Sequence, residues 1–234
     1  MAFETFPRSA DQFNSDTLKS EQIMAGQFGR SCCNGDLEGV RAALHAGVDV
    51  NAEVDGWTGL FWALEYKHTA VAMLLLAQEG IDVNHVDDEG TSALHWAARD
   101  EKNSECLALL LTRSDLVNQR DDDGCAPLWW AVDRNAVKCV QLLLSDPRTD
   151  PNFKSEMQGV PPLMRAIWDA NPECVELLMG NARTDPNLGD DGLSPLMWAV
   201  KLDRDRCIEF LLPDPRFDLS ERDNYQRSGE EVAR

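Results

Sequence analysis

Positive charge is scarce in this sequence. Of 234 residues, 22 are Lys or Arg against 41 Asp or Glu, for a formal net charge of −19. So acidic a chain is a poor ligand for nucleic acid, whose affinity for proteins comes largely from cation–phosphate contacts. It is also repelled by anionic membrane surfaces. A basic or neutral protein or peptide is the favoured partner. Long apolar runs are missing as well: no stretch approaches the roughly 18 residues of a spanning helix. The opening segment, MAFETFPRSADQFNSDTLKSEQIMAG, lacks the apolar core of a secretory leader. An intracellular protein, in cytoplasm or nucleus, is expected.

Catalytic signatures are missing too. There is no G-x-S-x-G, P-loop, H-E-x-x-H or C-x-x-C. The 4 His, at positions 45, 68, 85 and 95, have no metal-ligand spacing. The acidic stretches RDDDG (120–124) and GDDG (189–192) lack the spacing and terminal Glu of a calcium loop. No cofactor and no metal are therefore expected, and the reading leans away from an enzyme.

What the sequence does contain is a sentence written several times. DGWTGLFWAL (55–64), EGTSALHWAA (89–98), DGCAPLWWAV (123–132) and DGLSPLMWAV (191–200) align, with GVPPLMRAI (159–167) between the last two. Their Leu residues, Leu60, Leu94, Leu128, Leu163 and Leu196, are spaced by 34, 34, 35 and 33. A period of this size marks a stacked repeat protein. Each unit opens with a turn at Gly56, Gly90, Gly124, Gly159 or Gly192, where glycine permits positive φ. Thr58, Ser92 and Ser194 are placed to cap a helix, and Pro127, Pro162 and Pro195 suit its first turn. That helix is short. It should end near Lys67, Asn135, Asn171 and Asp203, where a left-handed residue is needed. A second, denser apolar helix follows, as in KCVQLLL (138–144). The exit loops SDPRTDPN (145–152) and PDPRFDLS (213–220) then stop it with Pro.

Four of the 7 Cys follow the same period. Cys106, Cys139, Cys174 and Cys207 each precede an apolar run, which marks them as small packing residues. An odd count fits a reducing compartment. Cys125, in a turn, is expected to be exposed and reactive.

These units resemble the ankyrin repeat. EGTSALHWAA (89–98) and DLEGVRAALHAGVDVN (36–51) carry the resemblance most closely, and it covers roughly 22–234. It implies an all-α solenoid of stacked helix-turn-helix units joined by β-turn fingers. Residues 1–21 are then a tail or arm, and 22–234 a single ankyrin-repeat domain. That domain has a degenerate first unit at 22–52 with Phe28 in the Leu slot, full units over about 53–222, and a polar cap at 223–234. The family's Leu-His pair keeps its histidine only at His95; Phe61, Trp129, Met164 and Met197 fill the slot elsewhere. His95 is expected to play the family's structural role.

Tryptophan is abundant. Trp62, Trp96, Trp130 and Trp198 share one slot, which the resemblance places between units as a packing ladder; Arg165 interrupts it. Trp57, Trp129 and Trp168 fall in slots that the family turns toward a concave binding face. The same slots hold Asp55, Tyr66, Asp88, Glu89, Asp122, Asp123, Arg134, Asp169, Asp191 and Leu193. An acidic groove with aromatic anchors suits a partner interface.

The resulting reading is a monomeric, non-enzymatic module that binds a protein or peptide. A second reading remains open: a small-molecule binder or unusual enzyme with a Trp-lined pocket around Trp129, Trp130, Arg165 and Trp168. Asp133 or Asp169 would be its acid/base, beside Arg165.

Overall fold

The protein is described by a computed structural model over the backbone of residues 10–156, 159–190 and 192–217, with side chains from residue 22 onward. The expected cap at 223–234 and the site candidate Asp191 lie outside the described residues. Contacts divide the chain into two compact units, 1–82 and 83–234.

In the first unit, α1 (Ala10–Asn34) and α2 (Leu37–His45) precede a hairpin of β1 (Glu53–Val54) and β2 (Trp57–Thr58), then α3 (Gly59–Glu65) and α4 (Thr69–Leu76). α1 begins at Ala10, so it runs through the tail boundary expected at residue 21. Asp36 caps α2 by accepting from the Gly39 N–H at 2.9 Å, which satisfies one of the orphan donors at a helix start. The hairpin register, Val54 opposite Trp57, leaves Asp55 and Gly56 as its two-residue loop. Both have positive φ, 54° and 77°, the geometry a tight hairpin turn requires and an Asp-Gly pair supplies. Phe28 is buried against the core as the Leu slot demands, and α1 packs on α3.

The second unit continues with α5 (Ala93–Ala98), a 3-10 turn at Glu101–Asn103, α6 (Ser104–Arg113), α7 (Pro127–Asp133), α8 (Val137–Ser145), α9 (Pro162–Trp168), α10 (Pro172–Gly180), α11 (Pro195–Lys201) and α12 (Asp205–Leu211). The first helices of successive pairs stack as α5, α7, α9 and α11, and the second helices as α6, α8, α10 and α12. Ala97, Ala131, Ala166 and Ala199 are fully buried. A methyl side chain in that slot lets neighbouring helices approach closely, and larger Leu residues flank it: Leu94, Leu128, Leu163 and Leu196. Each such Leu contributes about 1.5–3 kcal/mol on burial. Among the described residues the only strands are the two of the finger hairpin, so the all-α expectation holds.

The expected caps are in place. The Ser194 side chain accepts from the Met197 N–H at 3.4 Å, and Pro127, Pro162 and Pro195 open their helices. The left-handed residues after the first helices are Lys67, Asn135, Ala170 and Asp203. Ala170, not Asn171, bends the chain after α9. After α5 the 3-10 turn takes over, anchored by Asp100 accepting from the Lys102 N–H at 3.0 Å.

A polar ladder runs along the exit loops of the second unit. The Arg148 guanidinium donates to the Leu111 and Ser114 carbonyls, Arg183 to Leu144 and Thr149, and Arg216 to Met179 and Thr184. Each arginine thus satisfies carbonyls at the C-terminal end of the preceding second helix, where the helix dipole favours a cation. Asp146 and Asp214 hold Arg148 and Arg216 in position, and those hydrogen bonds lower both carboxyl pKa values below the ordinary Asp range. Asn118 and Asn152 repeat the pattern between loops: each donates to the next loop's carbonyl and accepts from its amide.

His95 locks one finger to the next. It accepts from the Ser92 N–H at 3.1 Å through Nδ1, which leaves Nε2 as the protonated nitrogen, and this donates to the Cys125 carbonyl at 3.1 Å. Burial lowers its pKa, so the folded state holds it neutral. The unfolded chain binds the proton first, and stability falls as pH drops below the unfolded value of about 6.5. Urea unfolding followed between pH 7.5 and 5 should show this loss in the wild type and a flatter profile in His95→Gln, which starts from a lower stability at pH 7.5.

Candidate functional site

The Gly turns and the C-terminal ends of the first helices make up a finger face in each unit, and the sequence-nominated residues sit there. In the first unit Trp57 is half-buried, with its ring centroid 4.6 Å from that of Trp62 and 6.4 Å from that of Phe61. It is a packed side chain rather than the free aromatic anchor expected in that slot. Trp62 stacks in turn on Tyr66 at 6.2 Å, and Tyr66 on His68 at 6.5 Å. Tyr66, 51% exposed, is the accessible member of this row. Asp55 stands exposed at the hairpin tip.

In the second unit Asp88, Glu89, Asp122 and Asp123 are exposed on adjacent fingers, which the Asp122 N–H ties together by donating to the Glu89 carbonyl at 2.9 Å. None of the four has an ion-pair partner among the described residues. Leu193 is half-buried in a bridge with Asp190. Trp168 ends α9 half-buried, edge-on to Trp198 at 5.5 Å, with its indole N–H enclosed and without an acceptor among the described residues. It too is a packing residue more than an exposed anchor.

The Trp ladder is real but uneven. Trp96 is 8% exposed and meets Trp130 edge-to-face at 5.5 Å. Trp130 donates through Nε1 to Asp121 at 2.7 Å, while Trp198 donates to the Asp190 carbonyl at 3.1 Å. Arg99 lies over both Trp96 and Trp130, at 5.4 and 5.7 Å. Where the ladder is interrupted, Arg165 places its guanidinium 5.2 Å over Trp129. It is shared by two carboxylates: Nη2 is 2.7 Å from Asp133, and Nε is 2.6 Å from Asp169 as a charge contact outside hydrogen-bond alignment. Asp133 also meets Arg134 at 3.3 Å.

Beside this group lies a cleft of about 230 Å³, open on one side. Trp129, Trp130, Asp133 and Arg134 line it with Arg99, Asp121, Asp123, Cys125 and Ser155. The pocket expected around Trp129, Trp130, Arg165 and Trp168 is thus only half assembled: the first two face the cleft, whereas Arg165, Trp168 and Asp169 are not part of its wall. Cys125 is not the exposed thiol the sequence suggested. It is 5% exposed, and burial, reinforced by Asp121, pushes its pKa up to about 12. A thiol that stays protonated at neutral pH is a poor nucleophile.

Two features of the wall had no place among the sequence candidates: Asp121 as an indole acceptor, and Ser155. The last carried a signal. Asp87 and Asp121 each donate their backbone N–H to the residue closing the same turn, Thr91 and Cys125, and Ser155 does so to Val160. Ser155 therefore occupies the slot in which its two predecessors are Asp.

Arg165→Ala removes two partly exposed ion pairs and a cation–π contact, and should cost about 1–2 kcal/mol in urea unfolding. Arg165→Lys should recover little of it, since a single ammonium lacks the planar fork that spans two carboxylates.

Among the described residues no helix is long and apolar enough to cross a membrane. Comparison with known families adds a match to ankyrin repeats, in three copies over residues 28–121, 80–155 and 128–223. With the short first helix, the glycine finger, the buried His95 and the stacked helix pairs all in place, this chain belongs to the ankyrin-repeat family.

Proposed function

We propose that the protein is a non-enzymatic interaction module that holds a protein or peptide, preferably a basic one, against its finger face. Ankyrin repeats generally mediate protein–protein interaction, and the observation that carries the reading here is charge without compensation. Asp88, Glu89, Asp122 and Asp123 project from adjacent fingers with no cation partner among the described residues, next to half-buried indoles that supply apolar contact area. Uncompensated surface charge beside aromatic side chains steers and then anchors a partner.

The reading as a small-molecule enzyme has less support. The cleft volume falls below the roughly 300–1,000 Å³ typical of ligand pockets. Asp133 and Asp169, its candidate acid/base groups, are both engaged by Arg165. We place the protein in the cytoplasm or nucleus, a setting in which all seven cysteines stay free as they are here.

The test begins with the immobilised chain and a partner captured on it. Affinity should fall steadily as salt rises, and Asp122→Asn with Asp123→Asn should flatten that dependence. An affinity indifferent to salt would remove charge from the account. Tyr66→Ala should weaken a partner that reaches the first unit by about 2 kcal/mol if the ring is a hot spot. Its exposed position should keep the stability change within about 0.5 kcal/mol. Trp168→Ala, by contrast, should lower stability, because its ring packs on Trp198.

A further inference from the structure

We propose that the cleft walled by Trp129, Trp130, Asp121, Asp123 and Ser155 is a seat for one lysine side chain of the partner, a proposal that rests on the interaction reading above. Its origin lies in the repeat that departs from the pattern twice. Ser155 replaces the Asp of the preceding fingers, and its shorter side chain cannot reach as they do. Arg165 replaces the ladder tryptophan, and its guanidinium is drawn to Asp133 and Asp169. Ser155 thus puts less side chain into the wall beside Trp130 than an Asp would, and Arg165, held by Asp133 and Asp169, stays out of that wall.

The polar inventory points to a cation. Both arginines in the wall are engaged: Arg99 lies over Trp96 and Trp130, and Arg134 meets Asp133. Asp123 is exposed with no partner cation among the described residues, and Asp121 spends its oxygens on the Cys125 N–H and the Trp130 indole, both neutral donors. The uncompensated charge is therefore negative. Ser155 is 2% exposed, yet its hydroxyl has no hydrogen-bond partner among the described residues. A buried polar group is rarely left so, and this one belongs to the cleft wall.

Lysine fits better than arginine. The indole faces that a guanidinium would stack on already carry Arg99 and Arg165. An ammonium needs no such face: it is a compact charge with three donors, matched by the Asp121 and Asp123 carboxylates and the Ser155 hydroxyl. Its aliphatic stem can lie along the indole edges. The volume suits one side chain rather than a whole ligand.

The test follows the indole N–H resonances of the ¹⁵N-labelled full chain during titration with Nα-acetyl-lysine methylamide. The norleucine and arginine analogues are run in parallel. Saturable shifts at Trp129 and Trp130 are expected with the lysine compound and none with norleucine. Asp123→Asn should weaken binding about threefold, in the range of an exposed ion pair, and Ser155→Ala about fivefold, the worth of one hydrogen bond. Ser155→Ala removes a hydroxyl that has no partner among the described residues, so the fold tolerates it. No saturable shift, equal shifts with norleucine, tighter binding of the arginine analogue, or indifference to both substitutions would each overturn the proposal. A captured partner whose affinity depends on the finger acids but ignores Ser155→Ala would remove the lysine seat and leave the interaction reading standing.

Discussion

A pair of helices as short as α7 and α8 cannot bury its apolar surface alone, and marginal helices of this length are not stable in isolation. Its core exists only because another pair lies against it. The buried alanines at 97, 131, 166 and 199 set how closely the first helices approach. Close approach then creates a second demand: the carbonyls at the end of each second helix must find donors, and the next exit loop brings Arg148, Arg183 or Arg216 to them. Apolar stacking and polar satisfaction are therefore supplied by the same neighbour, so that each helix pair depends on the next in two chemically distinct ways.

That dependence frees the fingers. Their backbone is fixed by glycine turns, by His95 and by the amide link from Asp122 to Glu89, so their tips carry charge without having to hold the fold together. Recognition can then be written in the tips while stability is written in the slots behind them. The α9 unit is where the two meet. Exchanging a slot tryptophan for Arg165 and a turn aspartate for Ser155 keeps the stack intact, but trades filled volume for an ion-pair triad and a cleft.

Much of this was legible in the sequence. The period, the glycine turns, the caps at Thr58 and Ser194 and the packing role of the cysteines follow from local rules that repetition reinforces. What escaped was set by neighbours one unit away. Cys125 reads as a turn thiol, but the next finger and the His95 bond close over it. Trp57 and Trp168 read as anchors because their slots face the binding surface in the family, yet each finds another aromatic ring, Trp62 or Trp198, to pack on. Asn171 looked like the left-handed residue, but the positive φ falls one position earlier, at Ala170. The loop arginines could have been found, since Arg148 and Arg183 hold the same place in matching loops; their task, reaching back to carbonyls of the previous unit, has no local signature. The cleft had half a signature: Arg165 visibly broke the ladder, but Ser155 shows its meaning only when the turn hydrogen bonds align it with Asp87 and Asp121.

The central claim is that recognition happens on the finger face and stability behind it. Backbone hydrogen exchange of the full chain, with and without a captured partner, tests this most directly. The account predicts added protection in the fingers around 87–91 and 121–125 and at the ends of α7 and α9, with the exchange of α8 and α10 unchanged. Protection confined to α8 and α10, with the fingers exchanging as before, would contradict it.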